Sequence, residues 1–384
     1  MRILPQAAIL VACVALTCPV QAQQRHEFTE VHMGMPVRIV LHASDTETAR
    51  AAARAAYARI ARLEGYLSDY RPDSELRRLQ QRPGEWISLT TELFTVLATA
   101  LQVARASDGS FDPTVGPLSV LWREARSRGT LPSTAAIDSA RARTGWRKIA
   151  LDRSRRAVRL APGMQLDLGG IAKGFILQEA LAVLRSHGTA SALLEAGGDI
   201  AVGDAPPGRA GWRIETPHAD AAVAAHAAVL TNAAVATSGN SAQFVIIDGV
   251  RYSHVVDPVT GIGLTHDVHA TVIAQDAALA DALATALTVT GPDSAAGLLA
   301  RFPDVIASVR GSATPTPASR LDHVRTDSIA EDAEEMRGQE RARYRRTSDE
   351  ANPIVSKRRY GNRGIWRSAG LTGSINRSFL CYSL

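Results

Sequence analysis

Cysteine is almost missing from this sequence of 384 residues. Cys13 and Cys18 lie within the first 22 residues, and Cys381 lies near the opposite end. The body between them, residues 23–310, therefore has neither a disulfide framework nor a cysteine-ligated metal site. The sequence also has no repeat at a fixed period, which excludes solenoid and propeller architectures.

Long apolar runs are missing after the N-terminus. No later segment reaches the roughly 18 apolar residues that a membrane-spanning helix needs. Residues 1–22 combine Arg2, an apolar stretch over 7–16 and a small-x-small site at 20–22, which predicts a secretory signal and a periplasmic protein. Cleavage before Cys13 would instead give an inner-membrane lipoprotein, so we expect a membrane tether only if Cys13 is lipidated.

Lysine is also scarce, because the basic residues are arginine except at Lys148, Lys173 and Lys357. The net charge of +5 is unevenly distributed. Residues 311–384 hold 13 Arg or Lys against 9 Asp or Glu, and Arg2 adds one charge, which leaves residues 23–310 neutral. A neutral body lacks the basic face that nucleic acid binding requires, so we expect no nucleic acid partner.

The two ends of the chain differ in apolar periodicity. Residues 311–384 have none, and their blocks of Glu and Arg predict a mostly disordered basic tail. Residues 23–310 predict strands at 37–41, 191–195, 244–247 and 269–273, with a hairpin over 145–168. They also predict helices from a capping box at 44–47 to about 64, from Thr90 or Thr91 to a stop at 108–109, and over 171–187 and 276–290.

A glycine-rich turn at 164–174 is the clearest local signal of a ligand site. Its apolar residues predict a short strand that ends at Asp167, and Gly169 and Gly170 let the backbone approach a ligand closely. Lys173 then falls at the start of a helix, whose N-terminus favours anions. The spacing matches neither the P-loop nor the dinucleotide fingerprint. At this point a tight strand-to-helix connection with no ligand explains the pattern equally well.

Two other groups have the residue types that chemistry needs. Asp281 and Thr285 are spaced i, i+4, which places two hard oxygen ligands suited to Mg²⁺ on one helix face. His254 is a candidate general base, because histidine titrates near neutral pH. Each also has an ordinary structural interpretation: a solvated or capping aspartate on a helix, and a histidine that only hydrogen-bonds in a loop.

Several other polar residues have two open interpretations. Asp112, Asp167 and Asp199 each stand beside a Gly or Pro turn, where carboxylates commonly form Asx turns. Tyr70 is suited to stacking on a planar ligand, and equally to covering the edge of the core.

The order of the motifs along the chain is more specific than any single motif. In chain order they are Met33-Gly34, Tyr70-Arg71-Pro72-Asp73-Ser74-Glu75, Ser110-Phe111-Asp112-Pro113-Thr114-Val115-Gly116, Asp167-Leu168-Gly169-Gly170-Ile171-Ala172-Lys173-Gly174, Ala196-Gly197-Gly198-Asp199, Thr237-Ser238-Gly239, Ser253-His254-Val255-Val256-Asp257-Pro258-Val259-Thr260-Gly261 and Ala280-Asp281-Ala282-Leu283-Ala284-Thr285-Ala286-Leu287. From about residue 28 to 310 the chain thus resembles the ApbE family, whose members are FAD:protein FMN transferases. It departs from the family pattern at Met35-Pro36 and in its tail, which has no family counterpart.

The resemblance implies a fold and a set of site residues. The glycine loops alone do not distinguish α/β from α+β, and with the resemblance we expect α+β, one large catalytic domain over 23–310 with sheets and packed helices. His254 matches the catalytic base, and Mg²⁺ is expected on the Gly170 carbonyl with side-chain oxygens of Asp281 and Thr285. The family positions that hold FAD correspond to Met33, Tyr70, Ser110, Phe111, Asp112, Asp167, Lys173 and Val255.

The resemblance also implies a reaction. It is Mg²⁺-dependent transfer of FMN from FAD, the substrate, to a Thr or Ser hydroxyl of an acceptor flavoprotein subunit, with release of AMP. Water in place of the acceptor would make the protein a Mg²⁺-dependent FAD pyrophosphatase that gives FMN and AMP. A third possibility is a non-catalytic periplasmic FAD-binding protein, which would need no metal on the pyrophosphate.

Overall fold

The computed structural model describes residues 23–216, 229–239 and 243–315. The predicted signal at 1–22 and the predicted tail beyond residue 315 lie outside the described residues, so both stay predictions. Among the helices of this described part, none combines the length and the apolar character that crossing a membrane requires.

A seven-stranded sheet forms the centre of the described fold. Every neighbouring pair of strands in it is antiparallel, which confirms α+β, because a doubly wound α/β sheet is mostly parallel. From edge to edge the strands are β1 (Gln24–His32), β2 (Met35–Ala43), β6 (Ala192–Ala196), β7 (Asp199–Val202), β8 (Ala233–Gly239), β11 (His266–Ala274) and β12 (Ile306–Pro315).

Helices supply the rest of the main core. In β2, Ile39 and Leu41 enter the large cluster shared with the helices, whereas Val40 enters a smaller cluster with Trp212. This alternation follows from the period of two in a strand, which turns successive side chains to opposite faces. The helices are α1 (Thr46–Leu67), α2 (Glu75–Gln80), α3 (Thr91–Ala106), α4 (Gly116–Arg128), α5 (Thr134–Ala142), α6 (Ala172–Ser186), α7 (Ala277–Thr290) and α8 (Pro292–Leu299).

The close approach of α6 and α7 positions the site. A Cβ atom on Gly174, near the start of α6, would lie only 2.0 Å from the backbone oxygen of Ala277 in α7. Only glycine allows this contact, and α7 itself is rich in alanine, so its backbone can pack closely. The two helix starts therefore meet, and the side chains of their first turns share one region.

Two small sheets complete the described fold. The first has three strands, in the order β3 (Ile87–Ser88), β5 (Ala157–Arg159) and β4 (Ala150–Asp152). The second is a hairpin of β9 (Phe244–Ile247) and β10 (Val250–Ser253). Trp122 of α4 packs on Tyr252 and donates a hydrogen bond of 2.8 Å to the Gly261 carbonyl. This tryptophan fixes α4 against the segment that contains His254.

Three sequence predictions need correction. Asp45, not Ser44, caps α1, since its carboxylate accepts from the Thr48 N–H. The strand predicted before Asp167 is wrong: residues 164–168 are not in a strand, and the Asp167 N–H donates to the Pro113 carbonyl. β12 runs to Pro315, past the predicted boundary at 310, because its pairing with β11 continues there.

Candidate active site

Both glycine turns open onto one cleft of about 430 Å³. Gly169 and Gly170 line it from the turn before α6, and Gly197 and Gly198 line it from the turn between β6 and β7. The two turns are therefore close to each other in space although they are separated in the sequence. Of the residues implied by the resemblance, the cleft is lined by Tyr70, Ser110, Phe111, Asp112, Asp167, Gly170, Lys173, His254, Val255, Asp281 and Thr285.

Lys173 lies between two carboxylates. Its Nζ is 2.8 Å from Asp199 Oδ2 and 3.0 Å from Asp281 Oδ1. Burial alone would lower the pKa of Lys173, but the two carboxylates outweigh burial and raise it. Burial raises the pKa of Asp199 to about 7, with the Asp281 charge acting in the same direction and Lys173 against it. The lysine that the sequence placed at an anion site thus has its charge matched by the protein's own carboxylates.

The oxygen atoms of Gly170, Asp281 and Thr285 suit a magnesium ion. A Cβ atom on Gly170 would lie 2.8 Å from Thr285 Oγ1, so the two residues are in contact across the cleft wall. Asp281 is one helical turn before Thr285, and its two oxygens accept from Lys173 and from the Gly174 N–H at 3.2 Å. A carboxylate has about four acceptor positions, so Asp281 keeps capacity for a cation. Carbonyl, carboxylate and hydroxyl oxygens are the donors that Mg²⁺ accepts.

In the described part of the chain, no three or more His, Cys, Asp and Glu side chains are grouped so that they could hold a metal ion. The oxygen atoms of Gly170, Asp281 and Thr285 include only one carboxylate, so a site built on them would be of a different kind. The assignment of Mg²⁺ to it stays a prediction.

His254 is accessible at the cleft wall and has a defined tautomer. Its Nδ1 is 3.1 Å from the Gln243 carbonyl oxygen, which can only accept, so Nδ1 carries the hydrogen and Nε2 has the free lone pair. Desolvation lowers the pKa of His254, and the charges of Arg126 and Lys173 act in the same direction, while the hydrogen bond to the Gln243 carbonyl and the charge of Asp167 oppose them. A neutral imidazole with an open lone pair is the state that a general base requires.

One wall of the cleft carries a charged and aromatic cluster. The Arg123 guanidinium of α4 lies 4.2 Å from the ring centroid of Tyr70 and 2.7 Å from Asp69 Oδ2. It also lies 3.6 Å from Asp167 Oδ2, while Asp167 Oδ1 accepts from the Gly169 N–H in the predicted Asx turn. Tyr70 is therefore held beside the cleft by a cation, with part of its ring available to a ligand.

Asp112 has a structural role in the loop that Ser110 and Phe111 share. Its Oδ1 accepts from the N–H and hydroxyl of Thr114, and its Oδ2 accepts from the Trp146 N–H at 2.9 Å. Burial raises its pKa, against these hydrogen bonds. These hydrogen bonds are those of a turn-forming carboxylate, and Asp112 also lines the cleft with Ser110 and Phe111, so its contact with FAD stays a prediction.

Met33 is the one implied FAD residue that does not line the cleft. It is buried, with its N–H donating to Glu64, in a recess of about 20 Å³ that also touches Gly169 and Lys173. Val255 lines the cleft directly, and its N–H donates to Ser253 at 3.0 Å. Met35, at the position where the sequence departs from the family pattern, lines the cleft instead of Met33.

Sequence reasoning missed three charged residues of this region. Asp199 was considered only as a turn residue, although the second Gly-Gly pair directly before it was a usable signal. Arg123 and Arg126 were not considered, although their spacing of three on one helix puts both on the same face. Arg123 and Arg126 line the cleft, and Asp199 is buried behind it in contact with Lys173, a placement that only the tertiary structure shows.

The fold and the cleft together define the class: an α+β protein whose cleft combines an accessible histidine, a lysine–carboxylate cluster and an arginine-lined wall. The chain belongs to the ApbE family, whose family model matches residues 33–309. It is 31% identical over 291 residues to a protein of Chlamydia muridarum named FAD:protein FMN transferase, covering 74% of this chain and 90% of that one. A protein of Treponema pallidum with the same name is 36% identical over 262 residues, covering 64% and 72%.

Solved structures agree with the sequence relatives. The flavinyl transferase ApbE of Pseudomonas stutzeri, in its apo form, superposes with a TM-score of 0.66 at 28% identity, covering 77% of this chain and 96% of that one. The ApbE protein of Thermotoga maritima gives a TM-score of 0.66 at 30% identity, covering 79% and 100%.

Proposed function

We propose that this protein transfers FMN from FAD to the hydroxyl of a threonine or serine in an acceptor protein and releases AMP, with Mg²⁺ bound. The proposal is supported by one observation above all: a single cleft contains His254 together with the oxygen atoms of Gly170, Asp281 and Thr285. A protein that only carries FAD has no use for a base beside such an oxygen set. The relatives named FAD:protein FMN transferase support the same reaction.

The reaction requires one bond to form, one to break and one proton to move. The acceptor oxygen bonds to the phosphorus of the FMN half, and the bond from that phosphorus to the bridging oxygen breaks. AMP leaves with the bridging oxygen, and the proton of the acceptor hydroxyl goes to Nε2 of His254. The lowered pKa of His254 favours this step near neutral pH, because the imidazole is then unprotonated.

The chain's own residues prepare the metal position. Lys173 and the Gly174 N–H hold the Asp281 carboxylate in place, and Gly170 leaves space beside the Thr285 hydroxyl. Mg²⁺ bound there would bring positive charge to the pyrophosphate of FAD. A cation also suits the local charge, since the carboxylates of Asp199 and Asp281 outnumber the ammonium of Lys173.

Apolar and aromatic side chains give the cleft surfaces for planar rings. Phe111 and Val255 line it, and Tyr70 presents a ring that Arg123 holds on one side. Isoalloxazine and adenine are both planar, and stacking on such surfaces contributes binding free energy without adding charge. A dinucleotide with two planar ends and an anionic centre is the kind of ligand that this lining suits.

A direct assay tests the proposal. Purified full-length protein is incubated with FAD, magnesium chloride and a candidate acceptor protein, and the acceptor is weighed by mass spectrometry while AMP is quantified. We expect the acceptor to gain one FMN phosphoester for each AMP released. Free FMN and AMP with an unlabelled acceptor would support the pyrophosphatase, and FAD that binds without being consumed would support a carrier.

We also propose export to the periplasm, on the strength of the apolar run and small-x-small site in residues 1–22. N-terminal sequencing of the protein from its producing cell should begin near Gln23. Recovery of Met1 would contradict export, and partitioning into a detergent phase would reveal lipidation at Cys13.

A further inference from the structure

Helix α4 presents a polar face to the cleft. Ser119, Arg123 and Arg126 are spaced i, i+4 and i+7, so they share one side of the helix, and all three line the cleft. The other side buries Leu118 and Trp122 in a separate apolar cluster that includes the hairpin residue Tyr252. This packing fixes the rotation of α4 and therefore keeps both arginines at the cleft wall.

The two arginines differ in what surrounds them. Arg123 has carboxylate partners in Asp69 and Asp167 and stacks on Tyr70. Arg126 is half-buried and has no hydrogen bond and no ion pair with any described residue. Burial therefore disfavours its charge: desolvation lowers the pKa of Arg126, the neighbouring Arg123 acts in the same direction, and Tyr70 opposes both. Arginine side chains that lose part of their contact with water are commonly paired with an anion.

The ion pairs of the cleft distinguish its cations from one another. Lys173 is matched by two carboxylates and Arg123 by two more, so neither has charge to spare for a ligand. Among the described cations that line the cleft, Arg126 is left without an anionic partner. The guanidinium is a planar fork of donors that matches phosphate oxygens in two-point contacts.

We infer that Arg126 is a phosphate-binding residue of the cleft wall and that it contacts the diphosphate of the dinucleotide substrate. This inference rests on the proposed function, because it takes FAD as the ligand. It adds a contact on α4 to the metal set of Gly170 and α7, so the diphosphate would be held by residues from separate elements of the fold. Arg126 would then select ligands by their phosphates, whereas the aromatic lining selects by their rings.

A matched control lies two residues further along the same helix. Arg126 and Arg128 both fall in the last turn of α4, where a cation also interacts with the helix dipole. Arg128 is exposed and pairs with Glu124 at 3.5 Å, and it does not line the cleft. Replacing either arginine by glutamine removes the same helix interaction, but only Arg126→Gln removes a cation from the cleft.

The experiment compares ligands with and without phosphate. Dissociation constants of FAD, ADP, adenosine and riboflavin are measured for the full-length protein with magnesium chloride present, for the wild type, Arg126→Gln, Arg126→Lys and Arg128→Gln. We expect Arg126→Gln to weaken FAD and ADP binding roughly tenfold to hundredfold, as for loss of a charge-assisted hydrogen bond. Adenosine and riboflavin binding should be unchanged, Arg126→Lys should be intermediate, and Arg128→Gln should match the wild type.

Each other result overturns the inference. Unchanged ADP affinity in Arg126→Gln would mean that Arg126 does not contact phosphate. Equal weakening of all four ligands, or equal effects of Arg126→Gln and Arg128→Gln, would mean that α4 only shapes the cleft. If the wild type and Arg126→Gln bind FAD equally well, the phosphate contact of Arg126 is refuted and the proposed function is not affected. A wild type that binds no FAD refutes the proposed function as well.

Discussion

Gly170 and Thr285 contact each other across the cleft although 115 positions separate them in the sequence. A Cβ atom on Gly170 would lie 2.8 Å from Oγ1 and 3.2 Å from Cγ2 of Thr285, and 3.3 Å from the Phe111 ring. There is thus no room for a side chain at 170. The contact sets the turn before α6 against the Thr285 side chain of α7, at the place where Mg²⁺ would bind in the proposed function.

We predict that Gly170→Ala displaces Thr285 and weakens metal-dependent turnover more than folding. A β-branched threonine on a helix has few alternative rotamers, so overpacking should cost about 1–3 kcal/mol of stability. Activity at limiting Mg²⁺ should fall at least tenfold, and excess Mg²⁺ should restore part of it. The control is Gly65→Ala in α1, where no atom lies within 4 Å of the new Cβ and the helix gains propensity. Normal Mg²⁺ dependence in Gly170→Ala would contradict the assignment.

Asp281→Asn and Thr285→Val should both reduce Mg²⁺-dependent turnover strongly, and the double variant should be little worse than either one. The two oxygens would serve one ion, so loss of either removes most of what the pair supplies. Thr285→Ser keeps the hydroxyl and should stay close to the wild type. Turnover is measured as AMP release across a Mg²⁺ titration. Strictly additive losses would indicate that the two side chains act independently.

His254→Asn should fold and bind FAD as the wild type does but lose flavin transfer by ~10²–10⁴. Asparagine has a similar shape and can still donate to the Gln243 carbonyl, yet it cannot take up a proton near neutral pH. Transfer is followed by acceptor mass and FAD binding by fluorescence quenching. A variant that transfers FMN at the wild-type rate would leave His254 with only its loop hydrogen bond, and Asp257 or the substrate would become the candidate base.

The pH dependence of transfer should have an acid limb set by His254. Since desolvation and the charges of Arg126 and Lys173 lower the pKa of His254, the ring should stay neutral to below its ordinary value of about 6.5. The rate should therefore fall only below that pH, as the base becomes protonated. Arg126→Gln removes one of the two positive charges, so its limb should move to higher pH. A limb that does not move would show that the two groups do not interact.

The C-terminal boundary can be tested by truncation. β12 pairs with β11 from Ile306 opposite Ile273 to Pro315 opposite His266, so a chain that ends at Pro315 should melt and bind FAD like the full chain. A chain that ends at Val305 lacks the whole strand and should lose cooperative melting, because β11 then becomes an exposed edge. Thermal denaturation followed by circular dichroism distinguishes the two. Equal melting of both chains would place β12 outside the cooperative unit.

Local patterns predicted several of the regular elements. The helix over 276–290 was recognisable from its alanine-rich period and the capping residue Asp276, and α7 is found at Ala277–Thr290 with that cap. The strand predicted over 244–247 is confirmed as β9 at Phe244–Ile247. Capping residues and apolar periods involve residues that are close together in the sequence, so they can be recognised from the sequence alone.

The strand predicted before Asp167 is an example of an element that local patterns do not predict correctly. An apolar run that precedes a glycine turn is compatible with a strand, but a strand also needs a neighbouring chain to pair with. Here the backbone of Asp167 bonds to Pro113, in a loop more than fifty residues earlier. The pairing depends on what the fold brings alongside, which no local pattern contains.

The sequence by itself determined the family, the α+β class and the residue types of the site, because ordered motifs and helix or strand periods are properties of the linear chain. Only the tertiary structure decided the electrostatic roles. Lys173 is neutralised by Asp199 and Asp281, Arg123 by Asp69 and Asp167, and Arg126 by no described residue. A charge acts over a few ångströms through low-dielectric surroundings, so its role depends on its neighbours in space, and these come from six different segments of the chain.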